Sequence, residues 1–435
     1  MAEESNVHVV SDRRTATLPS VRADDAEEPA SAGGGSLLFI SYEESSSHNG
    51  LNTRMRGIAR ALAAQGRHVE IASPLYGGHA RMTVTGRDGI RIHMIPVPDL
   101  LSQWKIPVVS RILSVICLTV CMVRHLRRAE TRFAWVQAEQ IYPFPAAYLL
   151  AGEWDARVIL DDPSLLGLFV EEKLKRRRVL RPLLRKSVEA FETLLFRRAD
   201  CILCSSNRQA EEIGRRTRRK QTQVRRLCNG VDPKEFTVAA NGTAGNRIFF
   251  NCSLPYYQNI AALRNLLKVF ARFEDQAFQD YSALVVVNDA AALPSDLAVG
   301  IQSNPKVHLL SNQPSIVPWL QSCDLVLLPY EAGHTTTAGP RLKVFEALAC
   351  GKIVLGTKEG LDEVAGCVDG RNVVLCSDWL DMAAKTMALI QEGDSARKRM
   401  MCDEARRFVE AEYSWLSLAN AYESITETSS VPARD

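Results

Sequence analysis

Arg341, Lys343 and Glu346 crowd the start of one small-residue segment, "RLKVFEALACG", inside the run "GPRLKVFEALACGKIVLGTKEGLDEV" at residues 339–364. Gly339 and Pro340 make a turn before it. Cations in the first turn of a helix oppose its dipole unless an anion sits there. Lys343 and Glu346, three residues apart, share a helix face. Such a set suits a diphosphate on the two cations and a ribose or sugar diol on the carboxylate. The competing reading is a surface ion pair on an amphipathic helix. Ala347, Ala349 and Gly351 point instead to close packing beside a site.

A second glycine turn, Asn49-Gly50, lies between the apolar run "SLLFISY" (36–42) and a periodic segment with Leu51, Met55, Ile58 and Leu62 at helical spacing. Glycine there lets the backbone approach an anion, and amides at a helix start can bind it. A plain connector needs the same turn chemistry, so both readings stand. Gly360 and Leu361, after "KIVLGT", are further candidates for donor contact.

These residues need elements to hold them. Short apolar runs ("HVEIASP", "IRIHMIPV", "FAWVQAEQ", "RVILDDPS", "DCILCSS") alternate with helical patterns, and a second cycle begins at "NRIFFNCSL" (246–254). Such an alternation of strand and helix implies parallel sheets covered on both faces, with ligands at the strands' carboxyl ends. A chain of 435 residues is too long for one ordinary core, so two α/β domains are expected, joined near Val231–Asn246. The expected division is a polar tail at 1–35, domains at 36–235 and 236–410, and a closing helix and tail at 411–435.

At this level the chain resembles glycosyltransferase family 4, within the GT-B fold, and in particular a divergent bacterial polysaccharide-assembly branch. The donor-binding region is similar to the 341–364 run. "RRADCILCSSNRQAEEI", "NGVDPKEF" (229–236), "CDLVLLPYE" (323–331) and "YSWLSLANAYESI" follow the family's order over roughly residues 36–428. The resemblance implies two Rossmann-like doubly wound domains facing across a cleft, with a C-terminal helix crossing back. It implies a retaining transfer from a nucleotide-sugar donor to a glycan or lipid-linked acceptor. No clear Asp-rich cluster stands in these loops, so no metal or other cofactor is expected. The donor would meet Gly50, Gly339, Arg341, Lys343, Glu346, Gly360 and Leu361, and the catalytic candidates are Glu346 with Glu139 and Asp162, the last two on the acceptor side. The chain also departs from the family. Glu346 matches the second of a common glutamate pair, but Ala338 stands where the first would be. The loop "CSLPYYQN" (252–259) lacks the usual Arg and Lys, and Glu139 replaces a frequent histidine. Two alternatives therefore stay open: a non-catalytic GT-B scaffold in a membrane glycan-assembly complex, and a nucleotide-sugar epimerase.

Composition narrows the remaining classes. A net charge of +3 does not argue for nucleic acid, and no aromatics interleave with the cations of the basic runs. The first 35 residues contain no apolar h-region, so a secretory signal is not expected and the cytoplasm is. Eleven cysteines at irregular spacing read as reduced, buried thiols. The lone pair Cys201 and Cys204 lacks a second ligand pair for zinc. Residues 106–123 are strongly apolar, but Arg111 leaves less than the ~20 residues needed to span a bilayer. That segment reads as a buried or interfacial helix. The run "KLKRRRVLRPLLRK" (173–186) interleaves leucines with cations and is expected to face either solvent or an anionic membrane on the cytoplasmic side.

Overall fold

The computed structural model describes residues 35–45, 50–78, 80–86, 88–99, 107–128, 131–161, 165–167, 180–218, 223–239, 247–254, 256–272, 281–331 and 339–428. Asp162, Ala338 and residues 173–179 of the basic run lie outside them.

The first half of the chain builds an eight-stranded sheet in the order β3-β4-β2-β1-β5-β6-β7-β8. Its strands are β1 (Leu37–Ile40), β2 (Val69–Tyr76), β3 (Met82–Thr85), β4 (Arg91–Val97), β5 (Trp135–Glu139), β6 (Arg157–Asp161), β7 (Cys201–Cys204) and β8 (Val224–Arg226). All neighbours are parallel except β3, which pairs antiparallel with β4. The β3 strand is exposed at every residue, so no apolar run announces it in the sequence. Strand side chains alternate faces. Leu38, Ile40, Val136, Ala138, Val158, Leu160, Ile202 and Cys204 enter one core. Leu37, Phe39, Trp135, Ile159, Cys201 and Leu203 enter the other. The first core is covered by α2 (Pro107–Leu126), α3 (Phe144–Trp154), the end of α4 (Leu180–Phe196) and α5 (Asn207–Thr217). On the opposite face lies α1 (Gly50–Ala64). Cys201 and Cys204 are buried strand residues, as small hydrophobes would be.

The second sheet has six strands, all parallel, in the order β11-β10-β9-β12-β13-β14. These are β9 (Arg247–Cys252), β10 (Ser282–Val287), β11 (Val307–Ser311), β12 (Leu325–Leu328), β13 (Ile353–Thr357) and β14 (Val374–Cys376). Helices α6 (Tyr257–Phe270), α7 (Ser295–Gln302), α8 (Val317–Gln321), α9 (Leu342–Ala349) and α10 (Trp379–Glu392) surround it. In each sheet the strand order reverses once among its central strands: β1 lies between β2 and β5, and β9 between β10 and β12. Such reversals open a crevice at the carboxyl ends of the two diverging strands, because the connections leave in opposite directions.

The periodic C-terminal segment divides into α11 (Ala396–Glu412) and α12 (Trp415–Thr428). Between them the backbone pairs with the linker: Val231 N donates to Tyr413 O (2.9 Å) and Trp415 N to Val231 O (3.0 Å). The last helix then lies on the first sheet's domain. Tyr422 is fully buried, and its hydroxyl donates to Gln137 on β5 (2.6 Å). Arg67 pairs with Glu423 at 3.1 Å. The Trp415 indole sits on Gly57 of α1, where an added Cβ would fall 2.2 Å from the ring. The Gly57→Ala substitution is therefore expected to destabilise the protein by about 1–3 kcal/mol, the usual range for an overpacked contact. Urea unfolding with no shift in midpoint would contradict the packing of α12 on α1.

Candidate active site

The second sheet's crevice is filled from α9. Arg341 occupies its N-cap in an extended conformation, and no acid lies in the first turn. Val344, Phe345, Ala347, Leu348 and Ala349 are buried, so the helix is anchored by one apolar face and its first turn is turned to the strand ends. Lys343 Nζ donates to Asn251 O on β9 (2.6 Å) and to Tyr330 Oη just beyond β12 (2.8 Å). Asn251 and Tyr330 thus mark the two strands that diverge there. The Tyr330 hydroxyl in turn donates to Asn259 Oδ1 (2.9 Å). The Arg341 guanidinium lies 3.8 Å above the Tyr330 ring and donates one bond, to Glu359 O at 2.6 Å. A guanidinium carries five donors and an ammonium three, so both cations keep donors without a partner among the described residues. Tyr330 is a platform that fixes two positive charges side by side.

Glu346 follows Lys343 by one turn and is half-buried. Its carboxylate makes no hydrogen bond or ion pair with the described residues. Burial pushes it up to about 7; Lys343 pulls the other way and Glu235 adds to the rise. A half-buried carboxylate with open acceptor sites beside two cations is arranged for hydroxyl donors.

The first sheet's crevice is lined by acids. Glu139 ends β5 and is buried. Its Oε2 accepts from Ser41 (2.8 Å), while Oε1 has no partner among the described residues. Desolvation pushes it up to about 8, partly offset by the Ser41 bond. Gln140 follows with φ 73°, an uncommon conformation for a non-glycine residue, and its amide donates to Asp161 O (3.0 Å). Asp161 ends β6 and faces Arg54 of α1 in a buried pair, with Nη2–Oδ1 at 2.8 Å and Nε–Oδ2 at 3.1 Å. Arg54 Nη1 reaches onward to Cys228 O (2.8 Å) and Asn229 Oδ1 (3.1 Å).

Asn229 also donates to Pro340 O (2.8 Å), so the linker ties the first sheet's acids to the loop before α9. Other contacts join the same edges. A Cβ at Gly50 would lie 3.4 Å from Leu342 Cδ1, which brings the start of α1 to the start of α9. Asp362 pairs with Arg208, and Glu363 accepts from the amides of Asn207 (3.2 Å) and Arg208 (3.4 Å) at the start of α5. Negative charge is favoured at that helix end.

Several sequence expectations change in detail. Arg341, Lys343 and Glu346 fall together, and Gly50 lies against the intervening Leu342. The Gly339 amide is not available to an anion: it donates to Ser205 Oγ (3.0 Å), and a Cβ there would strike Ser205 at 2.3 Å. Glycine is needed for that approach between the two domains. Gly360 and Leu361 are buried, and their amides donate to Thr357 Oγ1 (3.1 Å) and Thr357 O (3.1 Å). They shape the loop rather than open onto the crevice. Asp162 lies outside the described residues; its neighbour Asp161 is the acid joined to Arg54. Arg54, Asp161 and Tyr330 were missed. The signal for Arg54 was present, since an arginine three residues after Leu51 and four before Ile58 falls on the apolar face of α1. Among the described residues, no group of three His, Cys, Asp or Glu side chains is arranged to hold a metal.

Comparison with known proteins places these features in context. Residues 49–230 match the family model "Glycosyl transferase 4-like domain", and residues 245–392 match "Glycosyl transferases group 1". A protein of Bacillus subtilis (strain 168), named as a teichuronic acid biosynthesis glycosyltransferase, is 27% identical over 277 residues, covering 61% of this chain and 67% of that one. Among solved structures, sucrose-phosphate synthase from Thermosynechococcus elongatus is similar with a TM-score of 0.67 and 16% identity, over 90% of this chain and 98% of that one. The Anabaena HepE protein in complex with UDP is similar with a TM-score of 0.62 and 12% identity, over 90% and 100%. The trehalose-6-phosphate protein of E. coli bound with UDP-2-fluoro glucose gives 0.64 and 12%, over 92% and 100%.

The buried Arg54–Asp161 pair yields a direct test. Arg54→Met takes the guanidinium away from the buried Asp161 and is expected to cost about 3–5 kcal/mol, whereas Arg54→Met with Asp161→Leu recovers part of that loss. Denaturant unfolding of the three proteins checks it. A single variant within about 1 kcal/mol of wild type would deny the pair its role.

Proposed function

Since this chain belongs to the family 4-like glycosyltransferases of the GT-B fold, we propose that it moves a sugar from a nucleotide-sugar donor to a glycan or lipid-linked acceptor in polysaccharide or glycoconjugate synthesis. One observation carries the donor assignment: Arg341 and Lys343 are held side by side on Tyr330, with donors still open, at the crevice between β9 and β12. The loop at 252–259 lacks the cations common in the family, and the two residues on α9 supply that charge instead. Structures of the same fold include complexes with UDP and UDP-glucose, which supports a nucleoside diphosphate as the ligand.

In this reading the two cations take the diphosphate. As the bond from the sugar's anomeric carbon to the diphosphate oxygen breaks, negative charge grows on that oxygen. Fixed donors in a site of low dielectric stabilise such growth most. The cations offset the diphosphate charge, so no metal or other cofactor is required. Glu346 accepts from ribose or sugar hydroxyls. Glu139 is neutral near pH 7, so it donates a hydrogen bond toward the acceptor side and does not act as a base. Retention of anomeric configuration rests on the family likeness alone, and proton NMR of the first-formed product tests it.

Arg341→Ala is expected to weaken UDP or GDP binding about tenfold or more by calorimetry. Glu346→Gln is expected to lower kcat/KM by about 10–100-fold, the loss of a hydrogen bond to a charged group. Nucleotide binding equal to wild type in both, or binding without transfer onto membrane lipid extract, would return the scaffold alternative. The rate should also rise as pH passes about 7, where Glu346 ionises, and fall beyond about 8, where Glu139 does. Glu346→Gln should remove the acid limb and Glu139→Gln the alkaline limb; a profile unchanged by both would deny them these roles.

A further inference from the structure

The helices α2, α3 and α4 cover the same face of the first sheet, opposite α1. Ile112, Ile116 and Val120 recur every fourth residue along α2, and each is more than half exposed. Leu149 on α3 and Phe191 and Leu194 on α4 are equally exposed. Isolated surface leucines need no explanation, but a set repeated over three neighbouring helices does. The inner residues of the same helices (Leu118, Met122, Leu150, Phe196) are buried in the core, so the outer stripe is additional to what folding requires.

Cations outnumber acids on this face. The whole of α2 contains no acid, and Arg124, Arg127 and Arg128 follow its apolar stripe. Acids on the neighbouring helices are engaged: Glu153 with Arg127, Glu189 with Arg185, and Glu192 with Arg216. Between α2 and α3 runs a groove of about 430 Å³, with Val120, Val123 and Leu149 along it and the three arginines at its rim. Among the described residues no helix is long and apolar enough to cross a membrane. A helix lying in a lipid interface sets cations beside its apolar residues, as α2 does.

We propose that this face rests on an anionic lipid bilayer, with the stripes of α2 and α4 in the boundary between headgroups and acyl chains. The groove between α2 and α3 seats a lipid phosphate against its arginines, with the first methylenes over Val120 and Leu149. The basic run 173–186, which the sequence leaves facing either solvent or lipid, enters here only through residues 182–186 near the start of α4. The surface is therefore broader than that run and centred on α2.

The test is flotation of the full-length protein with vesicles of phosphatidylcholine alone and with about one-third phosphatidylglycerol, at ~0.1 M and ~0.5 M salt. The protein is expected to float with the anionic vesicles, less so at high salt, and not with neutral ones. Two variants, Ile116→Glu with Val120→Glu and Arg124→Ser with Arg127→Ser and Arg128→Ser, should each bind at least about tenfold more weakly. The residues are exposed, so both variants should keep wild-type melting temperature and nucleotide binding. Nucleotide titration of the same samples keeps this question separate from the donor site. Wild type that fails to float, or variants that float as well as wild type, would overturn the proposal. So would a lipid-free dimer in wild type that the Ile116→Glu, Val120→Glu variant dissociates, because the face would then be a contact between copies of the chain.

Discussion

The Arg54 guanidinium, buried between Asp161 and the linker, is the interaction on which the rest of the site depends. A charge taken out of water is tolerated only when its donors are met. Here they are met by acceptors from two places: the end of β6 and the linker at Cys228 and Asn229. The pair therefore fixes α1 against the sheet and holds the linker at the same time. Asn229 passes that constraint to Pro340, and so to the first turn of α9. An apolar substitute could fill the space, but it could not hold the backbone carbonyl of Cys228 or orient Asn229.

With the linker held, the reversal points of the two sheets come into use together. In the first sheet, Ser41 follows β1 and Glu139 ends β5; in the second, Asn251 lies near the end of β9 and Tyr330 follows β12. The acids Glu139 and Asp161 line the first crevice, and the cations Arg341 and Lys343 the second. Both contain groups with open hydrogen-bond capacity, namely Glu139 Oε1, Glu346, and the remaining donors of Arg341 and Lys343. Buried polar groups are usually satisfied within a protein, so unmet ones in a crevice are where a polar ligand binds most favourably. The glycines serve this geometry differently from simple anion-binding turns: Gly339 lets one loop touch Ser205, and Gly360 lets another pass Leu328 O, which a Cβ would meet at 2.4 Å.

The alternation of strands and helices was legible because parallel strands buried on both faces leave uninterrupted apolar runs. The trio of Arg341, Lys343 and Glu346 was legible too, since cations at a helix start are unusual without an anion. Tyr330 was not, because an aromatic at the end of an apolar strand reads as core, and only the fold shows which charges it carries. Asp161 was hidden by its neighbour: "LDD" does not say which aspartate points toward α1. The roles of the Gly339 and Gly360 amides could not be read either, since their partners, Ser205 and Thr357, are set by tertiary contact rather than spacing. The α2 segment was legible as a helix, but whether Ile116 or Leu118 faced the sheet depended on packing.

The most direct test of the donor assignment is a crystal structure with a bound nucleoside diphosphate, UDP or GDP, chosen by affinity. The account expects diphosphate oxygens within hydrogen-bonding distance of Arg341 and Lys343, with Glu346 on a hydroxyl of the ligand. A diphosphate bound to the 252–259 loop, away from α9, would contradict it.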